Sequence, residues 1–251
     1  MQIKNSHLCY CSNIHPGESW DEIFQNLKSY TIKVKEKMTD SSFGIGLRLS
    51  NQAADELLTA NKLSEFIIWL KKENMYVFTI NGFPYGNFHG KPLKDHVHTP
   101  DWSTEKRLNY TKNCIQILAR LLPKNMEGSI STSPISYRHW HKTNLEKKNI
   151  IKLACQHLTL IICELIKLKQ TTGTLIHLDL EPEPDGMIET SQECVDFFNN
   201  HLIPFAKPII SDTFNRKNRD AEKLIKDHIQ ICFDVCHFAV GFESPKNALN
   251  I

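Results

Sequence analysis

The apolar residues of this chain follow two alternating patterns. Short apolar runs rich in β-branched and aromatic residues predict strands, whereas longer segments with apolar residues three or four positions apart predict helices. The predicted strands are His7–Asn13, Phe43–Leu49, Tyr76–Ile80, Gly128–Thr132, Thr174–Leu180 and Gln230–Val235. The predicted helices are Ser19 to about Met38, a segment opening at Asn51, Ser103–Leu122, about Leu145–Leu168, Ser191–Leu202 and Asp220–Ile229. Ser19, with Glu22 three residues later, predicts a capping box at the start of the first helix. Six strands that alternate with helices predict βα units and a parallel sheet.

Among parallel-sheet architectures, a (β/α)8 TIM barrel fits this alternation best. No glycine-rich GxGxxG follows the first strand and no Walker-type loop is present, which disfavours dinucleotide and nucleotide binding. Six units in 251 residues average roughly 42 residues each, so eight units would need about 330. We therefore expect residues 1–251 to form a single TIM-barrel domain that is truncated after about six βα units and lacks its last two. The alternative is that neighbouring elements were merged in this interpretation and the βα units were miscounted.

Composition and charge narrow the class of protein. The chain is 41% hydrophobic and 23% charged, which excludes disorder and fibrous repeats. Thirty basic and 28 acidic side chains give a net charge of +2, so no nucleic acid or anionic membrane is expected as a partner. The longest apolar stretch, Leu158–Leu165, is far shorter than the ~20 residues of a transmembrane segment. No signal-peptide core follows Met1, and the eight cysteines form no pair of CxxC motifs. A cytoplasmic protein with reduced, mostly buried thiols is expected.

The strongest chemical signal is the fifth predicted strand, IHLDLEPEPDG. The two-residue period of a strand places His177, Asp179 and Glu181 on one face, which points inward if the intervening aliphatic residues pack on helices. A carboxylate in such an interior is costly unless it is paired or bound to a metal. Prolines end the strand and leave Glu181 at the rim, where TIM barrels carry their reacting groups. A solvated strand end is the alternative explanation.

The sixth predicted strand, ICFDVCHFAVGFE, repeats this signal in the adjacent unit. Asp234 is expected on the same face as Cys232, with His237 one step later. Together with Glu181, these residues predict a metal site formed by two carboxylates, Glu181 and Asp234, beside an imidazole. Such a donor set suits Mn²⁺, Mg²⁺, Co²⁺ or Zn²⁺ without choosing among them.

A third cluster predicts a pocket for a small polar ligand. Aromatic, amide and imidazole groups follow the first and third strands, and groups of this kind line small-molecule pockets. The candidates for substrate binding are His15, Asn81, Tyr85 and His89. The alternative is that neighbouring aromatic residues simply cover the barrel. Four further histidines are interpreted as surface loop residues, and Asp212 stays undecided; the histidines are His96, His98, His139 and His141.

Four segments carry a resemblance to a known superfamily: CYCSNIHPGESW, TINGFPYGNFHG, HLDLEPEPDG and CFDVCHFAVGFESP. They resemble the xylose-isomerase-like TIM barrels, which include sugar phosphate isomerases and epimerases and the endonuclease IV type of DNA-repair enzyme. Within that superfamily they look most like the EboE-type metabolite traffic proteins. The resemblance extends from the first strand to residue 245. It implies metal-dependent isomerase chemistry or the carriage of a small polar precursor, together with other proteins of a metabolite-export pathway.

The resemblance also implies roles for individual residues. Glu181 and Asp234 fall where the superfamily places two metal ligands, with Glu181 also serving as acid and base. His237 falls where isomerases contact substrate and where the nuclease type binds a further metal. The remaining ligands of the superfamily, a histidine and a glutamate, lie on two last strands that this sequence does not show. Three functions remain as alternatives: a metal-dependent isomerase or epimerase, a non-catalytic binding barrel and a metal-dependent phosphodiesterase. The net charge of +2 disfavours the phosphodiesterase.

Overall fold

The computed structural model describes residues 2–4, 6–86 and 94–250. These residues form two compact units. The first unit comprises Met1–Val97 and Tyr110–Ile130, and the second comprises His98–Asn109 and Ser131–Ile251. His89, predicted to bind substrate, lies outside the described residues. The expectation of a single domain that lacks two βα units stays a prediction.

The first unit contains a short antiparallel pair and three parallel strands. Strands β1 and β2 pair antiparallel, whereas β3, β4 and β5 pair in parallel. The register places Cys11 opposite Gly46, and it shifts by one residue between Ile45 and Gly46 where β4 meets β5. The bounds are β1 Gln2–Ile3, β2 Ser6–His7, β3 Cys9–Cys11, β4 Phe43–Arg48 and β5 Met75–Asn81.

The helices of the first unit begin at the caps that the sequence supplies. Ser19 and Glu22 form the predicted capping box, in which Glu22 N–H donates to Ser19 Oγ at 3.3 Å and Ser19 N–H donates to Glu22 Oε2 at 3.0 Å. A five-residue π-helical turn joins the first two helices into one continuous segment. The bounds are α1 Trp20–Asn26, the π turn Leu27–Thr31, α2 Ile32–Met38, α3 Asn51–Leu57 and α4 Lys62–Lys72, with a 3-10 turn at Ser12–Ile14.

The second unit carries the remaining helices around two parallel strands. In the pairing of β7 with β8, Leu178 lies opposite Ile229. Helix α5, Glu105–Leu121, and strand β6, Gly128–Thr132, are divided between the units. The other bounds are α6 Asn144–Thr172, β7 Ile176–Leu180, α7 Ser191–Phe197, a π turn Phe198–Leu202, α8 Ile203–Phe214, α9 Asn218–His228, β8 Ile229–Ile231, α10 Val235–Val240 and α11 Pro245–Ala248. A 3-10 turn of this unit lies at Arg138–Trp140, whereas the 3-10 turn Lys94–His98 is divided between the units.

The predicted fold class is confirmed. Strands β3 to β8 are hydrogen-bonded in the order of the chain and alternate with helices, as expected for an α/β fold built from parallel strands. Several boundaries were wrong. The first strand of the parallel sheet is Cys9–Cys11 and not His7–Asn13, and the helix predicted for Ser191–Leu202 continues through the π turn into α8. The helix that opens at Asn51 stops at Leu57, and α4 starts only at Lys62, after Ala60 adopts a left-handed φ of 48°. Strand β8 ends at Ile231 rather than Val235, because Asp234 begins a helix.

Helix α6 contains the longest apolar stretch of the chain. Among the described residues it is the one helix that is long and apolar enough to cross a membrane by length and composition. Its buried residues nevertheless recur three or four positions apart, where α6 packs against α8, α9 and β7, while Leu160 and other apolar residues of the helix are exposed. The buried residues are Ala154, Cys155, Leu158, Thr159, Ile161, Ile162, Leu165 and Ile166. This burial is the pattern of a helix that packs within a protein core.

Substitution of Leu158 by alanine tests this packing. Leu158 is fully buried, so Leu158→Ala removes a side chain from the core and is expected to cost about 2–5 kcal/mol of unfolding free energy. Leu160→Ala on the same helix is the matched control, because Leu160 is 50% exposed and its loss should cost less than about 0.5 kcal/mol. Urea unfolding of the two variants measures the difference. Equal losses would contradict the burial of this face of α6.

Stability should also depend on pH through His228. This side chain is buried in the second unit, where its Nδ1–H donates to the carbonyl of Ile176 at 2.9 Å. Burial lowers the pKa of His228 below its ordinary value of 6.5. The unfolded chain therefore binds the proton more readily than the folded chain, and stability falls as the pH drops below about 6.5.

The variant His228→Gln keeps a donor for Ile176 but does not titrate. Urea unfolding at pH 7 and pH 5.5 is expected to show a smaller loss of stability on acidification in His228→Gln than in the parent chain. The same loss in both proteins would show that His228 is not held neutral by the fold.

Candidate metal centre

Strand β7 presents alternate polar side chains, as the sequence predicts. His177 Nδ1 lies 2.5 Å from Asp179 Oδ1, so these two residues engage each other. Glu181 follows directly after the strand, and its backbone N–H donates to the carbonyl of Thr132 at 2.9 Å. The side chain of Glu181 is only 12% exposed. The strand thus places one buried carboxyl at its carboxyl end.

Asp234 lies near Glu181, as predicted, but in a different structural element from the one predicted. It lies beyond β8 and is the N-cap of α10, where its Oδ1 accepts from Cys236 N–H at 2.7 Å and from His237 N–H at 3.3 Å. The prediction that Asp234 belongs to a strand is therefore wrong. The physical reason is that a carboxylate before a helix accepts N–H groups that have no other partner. The cap places His237 in the first turn of α10.

Glu181, Asp234 and His237 converge into one cluster. Each offers a possible ligand atom, and these atoms all lie within 4.8 Å of one another. Asp234 Oδ2 is 3.6 Å from His237 Nε2, and Glu181 Oε1 is 4.0 Å from His237 Nδ1. All three side chains are partly buried. The residues singled out as metal ligands and as the substrate-contacting histidine are thus brought together in the second unit.

The hydrogen bonds around the cluster orient its donors. His237 Nδ1–H donates to the carbonyl of Pro182 at 3.0 Å, which leaves Nε2 of a neutral ring as the nitrogen with a lone pair. Because Asp234 Oδ1 caps the helix, its other oxygen, Oδ2, faces that nitrogen. A ring N–H held by a backbone carbonyl is the usual support of a metal-bound histidine.

The electrostatics of the cluster favour a cation. Burial raises the pKa of Glu181 to about 7, and Asp234 and Glu183 add to the rise, whereas His237 and a hydrogen bond from Ser131 oppose it. Burial also raises the pKa of the Cys232 thiol, which donates a hydrogen bond to Glu181. A divalent cation among these groups would replace the proton on Glu181 and offset the repulsion between carboxylates. The two oxygen donors and one nitrogen donor fit Mn²⁺, Mg²⁺, Co²⁺ or Zn²⁺.

The residues predicted to bind substrate lie in the first unit, and each contacts a different neighbour. His15 Nε2 lies 2.8 Å from the hydroxyl of Tyr10, and its ring stacks on Tyr30. Asn81 Oδ1 accepts from the backbone N–H of Phe83 at 3.3 Å. Tyr85 packs edge-on against Tyr110, with 5.2 Å between ring centroids. Their role in substrate binding stays a prediction.

The sequence interpretation missed His98. It was expected on the surface, but it is 98% buried, and its Nε2 lies 2.8 Å from Glu183 Oε1. That expectation is wrong because a carboxylate compensates the burial of the imidazole. The signal available in the sequence was Glu183 itself, two residues after Glu181. His96 and His139 are exposed and His141 is half-buried beside Ser136, while Asp212 is exposed on α8.

Fold and cluster together define an α/β protein of parallel strands with a carboxylate–imidazole group suited to a divalent cation. No protein-family model matches the chain, and no curated protein matches it. Among solved structures, the chain is similar to the crystal structure of the IolI protein with a bound zinc atom. The TM-score is 0.49 at 16% sequence identity, and the match covers 97% of this chain and 68% of that one.

Metal binding should depend on pH through Glu181. Below pH 7 a cation must displace the proton of this carboxyl, so the affinity for Mn²⁺ is expected to fall by up to about tenfold per pH unit from pH 7 downwards. The dependence on Glu181 levels off from about one unit above this pKa, where the carboxyl is almost fully ionised. Titrations with Mn²⁺ at several values between pH 6 and pH 8 measure this dependence. An affinity that does not change below pH 7 would remove Glu181 from the ligand set.

Proposed function

We propose that this chain is a divalent-metal-dependent isomerase or epimerase that acts on a small polar hydroxy-carbonyl compound. The observation that carries the proposal is the convergence of Glu181, Asp234 and His237 within 4.8 Å, next to the carboxyl end of β7. Reacting groups of proteins built from parallel strands gather at that end of the strands. Burial and hydrogen bonding prepare the three groups for one positive ion.

Asp234 and His237 are proposed as ligands through Oδ2 and Nε2, because their other polar atoms already make hydrogen bonds to the backbone. This assignment moves His237 from the substrate contact implied by the isomerase resemblance to the metal itself. Glu181 completes the set and lies deepest, with a side chain 12% exposed. Hydrogen bonds to the backbone thus orient Asp234 and His237, and the end of β7 positions Glu181.

Proton transfer is the chemistry proposed for Glu181. A bound divalent ion would polarise the carbonyl oxygen of the substrate and make the neighbouring C–H acidic. A Glu181 carboxylate that held the ion through one oxygen would keep its second oxygen available to accept and return a proton. Glu181 would take the proton from one carbon and deliver it to the next carbon or to the opposite face. The Cys232 thiol, which donates to Glu181, would help to orient the carboxylate.

A role in metabolite traffic is a further part of the proposal. It is supported by the resemblance of four sequence segments to EboE-type proteins. On this basis the protein would act on, or carry, a small polar precursor in the cytoplasm alongside other proteins of an export pathway. Tight binding of such a compound without proton exchange would identify a carrier rather than an enzyme.

The test combines metal analysis with solvent exchange. The protein, loaded with Mn²⁺ and incubated with a panel of hydroxy-ketones and hydroxy-aldehydes in D₂O, is expected to incorporate deuterium beside the carbonyl of its substrate. Glu181→Gln should reduce this exchange by at least about 100-fold, because general acid–base catalysis contributes a factor of that order. NMR measures the exchange, elemental analysis measures the metal, and circular dichroism checks the fold.

Asp185→Asn is the matched control. Asp185 is a carboxylate on the same segment, but it is 57% exposed and pairs with His139, so its loss should leave both metal content and exchange unchanged. Full exchange activity in Glu181→Gln would refute the proposed chemistry. Failure of the parent chain to hold any divalent metal would refute the metal site as well.

A further inference from the structure

A second pair of ligand-type side chains lies in the first unit, on strand β3. Cys9 and Cys11 are two residues apart, and because successive strand residues alternate between faces, their side chains lie on the same face. Their sulfur atoms are 3.9 Å apart. Both thiols are free, Cys11 is exposed and Cys9 is half-buried. The sequence expectation that the cysteines serve mostly as buried apolar residues does not describe this pair.

The neighbouring strand leaves room for the two sulfurs. Gly46 of β4 lies opposite Cys11, and a Cβ atom at this position would come within 3.0 Å of Cys11 Sγ and 3.1 Å of Cys9 Sγ. An alanine at this position would force the sulfurs to shift by a few tenths of an ångström. The glycine is therefore a condition for the observed geometry of the pair.

The separation of the sulfurs matches a shared metal ion. With metal–sulfur bonds of about 2.3 Å, a spacing of 3.9 Å corresponds to a sulfur–metal–sulfur angle of about 115°. That angle is suited to three- or four-fold coordination and excludes a linear arrangement. Two thiolates select soft ions, and Cu(I) in three-fold coordination needs only one further donor beside this pair.

We propose that Cys9 and Cys11 bind one Cu(I) ion, with a further donor such as a small thiol supplied from solution. The exposure of Cys11 gives the external donor access. The Cys9 thiol releases its proton to solvent on binding, and Cu(I) keeps its oxidation state. A proton still held by Cys11 leaves in the same way, so both cysteines bind as thiolates.

The test is a competition for Cu(I) against bicinchoninate, followed by absorbance under anaerobic, reducing conditions. The parent chain is expected to withdraw one equivalent of Cu(I). Cys9→Ser and Cys11→Ser should each weaken Cu(I) binding by more than ~100-fold. Loss of a partner outside the ligand set can already cost about that factor in metal affinity, and loss of a ligand should cost more. Cys163→Ser is the matched control, because Cys163 is a half-buried thiol on α6 and should leave binding unchanged.

Gly46→Ala gives an independent test, because it retains both thiols and changes only their spacing. It is expected to weaken Cu(I) binding at least tenfold while both thiols still react with a thiol reagent. Retention of Cu(I) by the Cys9→Ser/Cys11→Ser double variant, or equal loss in Cys163→Ser, would overturn the proposal. Failure of the parent chain to compete with bicinchoninate would overturn it as well.

Discussion

The carboxylate of Asp234 divides its two oxygens between the fold and the candidate metal centre. Oδ1 accepts the first N–H groups of α10 and so fixes where that helix begins, while Oδ2 faces the imidazole of His237. The helix start in turn determines where the ring of His237 lies, and the carbonyl of Pro182 determines which ring nitrogen carries the proton. Removal of this one carboxylate would disturb the direction of the helix, the placement of the histidine and the charge of the cluster together.

Burial gives the same cluster its electrostatic character. Glu181 lies in a region that disfavours a negative charge, and two neighbouring carboxylates, Asp234 and Glu183, add to the cost. His98 contacts one of these carboxylates, with its Nε2 2.8 Å from Glu183 Oε1. A region that contains several acidic groups with few compensating cations is stabilised when a positive ion enters. In the second unit the burial of these carboxylates therefore costs folding free energy and also favours the binding of a cation.

The sequence predicted the positions of strands and helix caps better than it predicted which side chains contact one another. Strand β6 has the predicted bounds, Gly128–Thr132, and the capping box at Ser19 forms as expected, because both depend on local patterns. Glu181 was also found, since a carboxylate at a strand end is visible in the pattern. The position of Asp234 was predicted wrongly because the residues before Val235 fit both the end of a strand and the N-cap of a helix. His98 was missed because its partner, Glu183, is 85 positions away in the chain.

The π-helical turns at Leu27–Thr31 and Phe198–Leu202 have a consequence for how the chain tolerates insertions and deletions. Each turn follows a seven-residue helix that opens with a capping box, at Ser19 in one case and at Thr190 in the other. A π turn accommodates one residue more than the α-helix around it. Deletion of one residue there would restore a regular helix and keep the residues beyond it in phase, whereas the same deletion inside α2 or α8 would rotate the residues beyond it by about 100°. The π turn before α8 is thus a place where the chain can lose one residue and still keep Ile203, Ala206 and Ile210 buried.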